Sequence, residues 1–194
     1  MRTFIAIELP EEVKEYLRRL QGKLKESGAD VKWAAPRNIH LTLKFLGEVD
    51  ENKTQEIAVL IEKTAKTTRS FVIHLSVLGG FPAINSPRII WIGIDKGDIE
   101  VKDIAKNLEE SLEAIGIPAE DRKFHSHITI GRTRSSLNRT SLAKTLNELK
   151  NSPQAENIEF PVRKITLFKS TLTPKGPIYE IIKESFLGTG TLLP

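Results

Sequence analysis

His40, Thr42, His127 and Thr129 are the residues of this chain whose types and spacing best suit chemistry. Each His stands two places before a Thr with apolar residues in both gaps, reading His-Leu-Thr-Leu over 40–43 and His-Ile-Thr-Ile over 127–130. The chain has only four His and is 39% hydrophobic. Chance then supplies about 0.05 such tetrads, and a pair about once in a thousand sequences. On an extended strand side chains alternate, so each His shares a face with its Thr, while Leu41, Leu43, Ile128 and Ile130 turn toward a core. An imidazole holds or releases a proton near neutral pH. Two of them form an acid–base pair, each role worth about 10²–10⁴ in rate. The Thr hydroxyls add hydrogen bonds without another titrating group, and neighbouring cations would hold an anion. The combination suits a phosphoester.

Composition narrows the chemistry further. The chain has no Cys, which excludes thiolate nucleophiles, disulfides, Fe-S clusters and Cys-type zinc sites. The tetrads carry no carboxylate and lack the His-x-x-x-His spacing of a helical metal site, so no metal is expected. Lys and Arg number 29 against 25 Asp and Glu, a net charge of +4. Those cations are scattered rather than run together, which suits a polyanionic ligand without demanding one. The apolar stretch in "MRTFIAIELP" is too short for a signal peptide core, and no run reaches the roughly 18 apolar residues of a membrane span. A cytoplasmic protein is expected. His74, in the alternating "VIHLSV", belongs on a solvent or cleft-rim face, and His125 neighbours the second tetrad. Neither is given a catalytic role.

The elements that must position the tetrads recur. After a strand over Phe4–Leu9, Pro10 and two Glu open an amphipathic helix with Val13, Leu17, Leu20 and Leu24 at helical spacing, ending near Gly28. The strand "VKW", the first tetrad strand, a polar helix over 51–68, the strand "FVIHLSVL", a Gly/Pro loop and the strand "RIIWIGI" follow. The series then repeats: a helix over 98–115, the second tetrad, a short helix over 137–149, a strand near "VRKITLFKS" and a closing strand "PIYEIIKESF". A shift of 87 residues, without a gap, lays Ile5 on Ile92, Leu17 on Ile104, His40 on His127 and Thr42 on Thr129. Two long copies are not a solenoid. They predict an α+β fold of two lobes related by a pseudo-twofold axis, each an antiparallel sheet with helices on its outer face, the two copies facing each other across a cleft. Residues 1–186 form this single bilobal domain, and 187–194 are expected as a loose tail.

With the segments "FIAIELP", "NIHLTLKFLGEV", "SHITIGR" and "STLTPKGPIYE" around that repeat, nearly the whole chain resembles the 2H phosphoesterases. Within them it is similar to the RNA 2′,3′-cyclic phosphodiesterases of archaea and bacteria, also called 2′-5′ RNA ligases. The resemblance implies hydrolysis of terminal 2′,3′-cyclic phosphates to 2′-phosphomonoesters without metal or nucleotide cofactor, and reverse, ATP-independent 2′-5′ joining at the same site. It implies His40 as the general acid toward the departing 3′ oxygen and His127 as the general base toward water. Thr42, Thr129 and Arg132 would bind the phosphate, and Phe45 would stack on a base. The partner implied is an RNA end held transiently, with no membrane and no obligatory protein partner. The residues alone leave open which His is acid and which is base.

Three positions carry a conflict or a departure. Strict alternation puts Lys44 beside His40 and Thr42 and turns Phe45 to the core, so stacking requires a bulge near Lys44. Arg132 meets the same parity question, with Gly131 available for the bend. Ser126 stands where many relatives have Pro, which alters how the strand begins and no functional group. The turn "TPKGP" either brings Lys175 to the cleft mouth or leaves it solvated. Two other functions share these motifs: another 2H activity on a cyclic nucleotide or a 2′,5′-linked oligonucleotide, and a non-catalytic module that clamps RNA ends.

Overall fold

Strand β1 (Arg2–Glu8) turns at Pro10 into helix α1 (Glu11–Lys25). That helix starts on Glu11 and Glu12 and ends on Lys23 and Lys25, the order its dipole favours, and it buries Val13, Leu17, Leu20 and Leu24. In the computed structural model, which describes residues 1–151, 157–174 and 176–188, the chain continues through β2 (Val31–Trp33), a 3₁₀ turn (Pro36–Asn38), β3 (His40–Glu48), α2 (Glu51–Thr67), β4 (Phe71–Phe81) and β5 (Ile89–Ile94). The second half supplies α3 (Asp98–Glu113), β6 (His127–Thr133), α4 (Arg139–Lys150), β7 (Glu159–Val162), β8 (Lys164–Thr173) and β9 (Gly176–Phe186). No helix among the described residues is long and apolar enough to cross a membrane. Lys175 and residues 189–194 lie outside the described residues. Leu187, expected in the tail, is instead 5% exposed and part of the core, and Gly188 bridges Arg69.

The fold is α+β, on one nine-stranded antiparallel sheet made of two half-sheets. One has the order β3-β1-β8-β9. The other has β6-β5-β4-β7, with β2 also paired to β6. They join where β3 meets β6 through the single pair Leu41 and Ile128. Helices α2 and α3 pack on the first half-sheet, α4 packs on β4 of the second, and α1 lies against α4.

The two lobes do not coincide with the two copies of the repeat. Strand β4, from the first copy, pairs with β5, and β8, from the second copy, pairs with β1. Helix α1 likewise crosses to the second lobe, where buried Gln21 donates to the carbonyls of Ala34 (2.8 Å) and Ile130 (2.9 Å). Each half of the sheet contains strands of both copies, so the apolar faces close into one principal core with residues from both. Strand β4 also runs through Gly79 and Gly80 to Phe81, a stretch expected to be loop. Gly79 lies opposite Trp91, and a Cβ on it would stand 2.2 Å from the indole ring. The missing side chain therefore makes room for Trp91.

The parity conflict is resolved by a β-bulge. In β3, Ile5 pairs with Lys44 but Ala6 pairs with Thr42, so Leu43 is passed over. In β6, Ile90 pairs with Gly131 but Trp91 pairs with Thr129, so Ile130 is passed over. The slip falls on the fourth residue of each tetrad and reverses the faces beyond it. Lys44 is therefore not beside His40, as strict alternation required, but buried on the helix side. There its Nζ donates to Glu109 (2.8 Å) and to the Pro118 carbonyl (2.9 Å). Glu109 also accepts from the Glu120 N–H (2.5 Å), so this pair ties the first tetrad strand to the segment that leads into the second.

Removing Glu109 leaves a buried ammonium without its counter-charge, whereas removing Lys44 leaves a carboxylate near the surface. Glu109→Ala is expected to cost about 3–5 kcal/mol and Lys44→Met less. Urea unfolding of the two variants checks this, and a larger loss for Lys44→Met contradicts the account.

Candidate active site

The residue before each tetrad is not helical, and the chain bends so that a carbonyl two places back meets the imidazole. His40 Nδ1 lies 2.8 Å from the Asn38 carbonyl, and His127 Nδ1 lies 2.7 Å from the His125 carbonyl. A carbonyl only accepts, so both rings carry their proton on Nδ1 and leave Nε2 for chemistry. The Leu41 and Ile128 pair then fixes where the rings point. In antiparallel register it sets His40 across from Thr129 and Thr42 across from His127, all four on the face opposite Leu41 and Ile128.

Each ring stands against aromatic walls. His40 stacks on Phe4 at 4.7 Å and meets Tyr179 edge-on at 5.4 Å, with Phe168 at 6.5 Å. His127 meets Phe81 edge-on at 5.2 Å and Trp91 at 6.3 Å. The walls obey the same 87-residue offset as the tetrads: Phe4 corresponds to Trp91, and Phe81 to Phe168. Through the strand exchange, each His receives one aromatic from its own copy and one from the other. The signal was present in the offset, but alternation alone assigned these rings no role. Tyr179 has no counterpart there and became visible only when β9 paired with β8.

Burial disfavours the charged imidazole. It pushes the pKa of His40 below its ordinary 6.5, against the opposing pull of the Asn38 carbonyl. His127 is pushed down for the same first reason. The His125 carbonyl opposes that shift, and the charges of His125 and Arg132 add to it. Burial raises the Tyr179 phenol, with Arg132 and Arg2 acting in the opposite sense. Arg132 thus acts on both His127 and Tyr179, and Tyr179 touches His40. The two tetrads face the same side where β3 and β6 meet.

The bulge brings Phe45 and Arg132, equivalent positions under the offset, onto this face. Phe45 is 60% exposed, with its ring 6.3 Å from Phe4. Thr42 and Thr129 are half-buried, and neither hydroxyl has a protein partner among the described residues. All six residues expected at the site are therefore on one face. His125 is exposed, with its ring 5.9 Å from Phe81. His74 belongs elsewhere: its Nδ1 is 2.6 Å from Asp95, and that contact holds the Asp95 carboxyl below its usual range. Among the described residues, no group of three His, Asp or Glu is placed to hold a metal ion.

Fold and site together define a two-lobed phosphoesterase of the two-histidine class. The profile of the LigT-like phosphoesterases matches twice, over residues 7–91 and 92–179, once for each copy of the repeat, and the chain belongs to that family. It is 39% identical to the RNA 2′,3′-cyclic phosphodiesterase of Methanocaldococcus jannaschii, over 95% of this chain and 99% of that one. It is 38% identical to the protein of the same name from Thermotoga maritima, over 95% and 94%. A crystal structure of a Thermus thermophilus protein superposes with a TM-score of 0.79 at 28% identity, covering 98% of this chain and 100% of that one. E. coli LigT complexed with 3′-AMP gives 0.77 at 26%, covering 96% and 97%.

The carbonyl contacts make a spectroscopic prediction. At pH 8 long-range ¹⁵N correlation spectra are expected to show both His40 and His127 as Nδ1–H tautomers, and both rings to protonate with midpoints below 6.5. An Nε2–H tautomer at either ring contradicts the geometry.

Proposed function

We propose that the protein hydrolyses RNA ends carrying a 2′,3′-cyclic phosphate to 2′-phosphomonoesters, using His127 as general base and His40 as general acid. The observation that carries this reading is the pair of imidazoles on one face, each held by a carbonyl on Nδ1 with Nε2 free. His127 Nε2 takes a proton from water as the water oxygen bonds to phosphorus. The bond from phosphorus to the 3′ oxygen breaks, and that oxygen takes the proton of His40 Nε2. Thr42, Thr129 and Arg132 hold the phosphate oxygens as charge builds on them, and Phe45 stacks on the terminal base.

The assignment of roles is supported by depth. The Nδ1 bond of His127 is exposed and that of His40 is part-buried, so water reaches His127 more readily. The lowered pKa makes protonated His40 a stronger donor to the leaving oxygen. An RNA 5′-hydroxyl in place of the water forms a 2′-5′ linkage by the same proton transfers, which needs no ATP. The tetrads bring no carboxylate to the phosphate, in keeping with a reaction that needs no metal. We place the reaction in the cytoplasm, in keeping with a chain that has no Cys to oxidise.

Turnover of a 2′,3′-cyclic phosphate oligonucleotide by EDTA-treated protein tests the reading. His40→Ala and His127→Ala should each cost about 10²–10⁴ in kcat, and the product should be the 2′-phosphate. A 3′-phosphate product or full activity in either variant refutes it. The pH dependence has a definite sign. Below the pKa of the base, His127 is protonated and idle; above that of the acid, His40 has lost the proton it must give. Since both lie below 6.5 in the free protein, kcat/KM should follow a bell with its maximum on the acid side of pH 6.5.

A further inference from the structure

A recess of about 430 Å³ opens beside His40, lined by Lys14, Arg37, His40, Ile178, Tyr179 and Ile181 among others. It is built rather than incidental. The Asn38 side chain donates to the Pro177 carbonyl (2.8 Å), pinning the β8–β9 hairpin to the turn that carries Arg37. The carbonyl of the same Asn38 orients His40. Ile181, on the same face of β9 as Tyr179, and Ile178, on the opposite face near the turn, both line the recess and are 52% and 51% exposed. Lys14 is held by Glu11 (2.8 Å). Arg37 is exposed and has no ion-pair partner among the described residues. An apolar wall, a phenol ring and a free guanidinium therefore line a hollow of the size that takes one small ligand, and Glu8, the carboxylate in that lining among the described residues, is already paired with Lys164 (2.8 Å). Phe45 does not line it.

In-line displacement says what lies on this side. The leaving oxygen faces the acid, so the ribose that carries it, and whatever is attached to that ribose, extend from the phosphorus toward His40. The terminal base is accounted for by Phe45. What remains on the His40 side is the chain leading 5′ from the terminal ribose. Resting on the reading of the previous subsection, we infer that the recess is the subsite for the nucleotide 5′ to the cyclic phosphate, with its base on Ile178, Ile181 and Tyr179 and the linking phosphate on Arg37. Apolar contact reads no hydrogen-bond pattern, so the subsite accepts any base. The protein thereby prefers an RNA end to a free cyclic mononucleotide.

The test compares a nucleoside 2′,3′-cyclic phosphate with a dinucleotide ending in the same group, using the full chain. The dinucleotide is expected to have a kcat/KM higher by about tenfold, the scale of one charge-assisted contact. That advantage should fall with salt at a log–log slope of about −0.7, the value for one phosphate of a single strand. Arg37→Glu and Ile181→Asp, on different elements, should each shrink it to less than about threefold. Equal kcat/KM for the two substrates, an advantage that survives both substitutions, or equal losses on both substrates in both variants overturns the subsite alone. If the unsubstituted protein turns over neither substrate, the cyclic phosphodiesterase reading fails and the subsite with it.

Discussion

The meeting of β3 and β6 at Leu41 and Ile128 is the constraint on which the rest of the site depends. Both side chains are fully buried, so neither strand can slip by one residue without turning its apolar set to water and its His into the core. That one pair sets both imidazoles on the same face, each across from the other tetrad's Thr. The paired carbonyls at Asn38 and His125 then choose the tautomer. The tautomer of each ring is thus settled by a backbone carbonyl, which no substitution of a neighbouring side chain removes.

Strand exchange makes this meeting robust. Because β4 completes the second half-sheet and β8 the first, neither copy of the repeat holds a closed core, and the lobes cannot separate without opening both. The same exchange walls each His with aromatics from both copies. Phe4 and Phe168 back His40, while Trp91 and Phe81 back His127. These rings exclude water from one side of each imidazole. That desolvation is the first cause of both lowered pKa values. A bound phosphate anion would favour the charged form of either ring, opposing that shift.

The bulge after each tetrad turns the repeat into two different tools. One extra residue at Leu43 and at Ile130 reverses parity. In the first copy it buries Lys44 against Glu109 and presents Phe45, an aromatic face; in the second it buries Gly131 and presents Arg132, a fixed charge. A symmetric frame thereby carries an asymmetric pair, one suited to a base and the other to a phosphate. The carbonyl of Ile130, displaced from the ladder, is still satisfied by the Ala34 N–H and the Gln21 amide, so this buried acceptor is paired.

The amino-acid sequence by itself determined the tetrads, the 87-residue repeat that makes them equivalent, the α+β class and the helices. These rest on spacing along the chain: period two for a strand, three to four for a helix, and a constant offset between copies. It also stated the conflict at Phe45 and Arg132, because parity is a local property. Tertiary structure alone decided that each lobe draws strands from both copies, that Lys44 is buried and Phe45 exposed, that Leu187 belongs to the core, and that Tyr179 stands against His40. Each of these depends on which strand lies beside which, and at what register. Pairing is a contest among distant segments for the same hydrogen bonds and the same apolar cover. Local periodicity specifies the competitors, and only the closed core selects the winner.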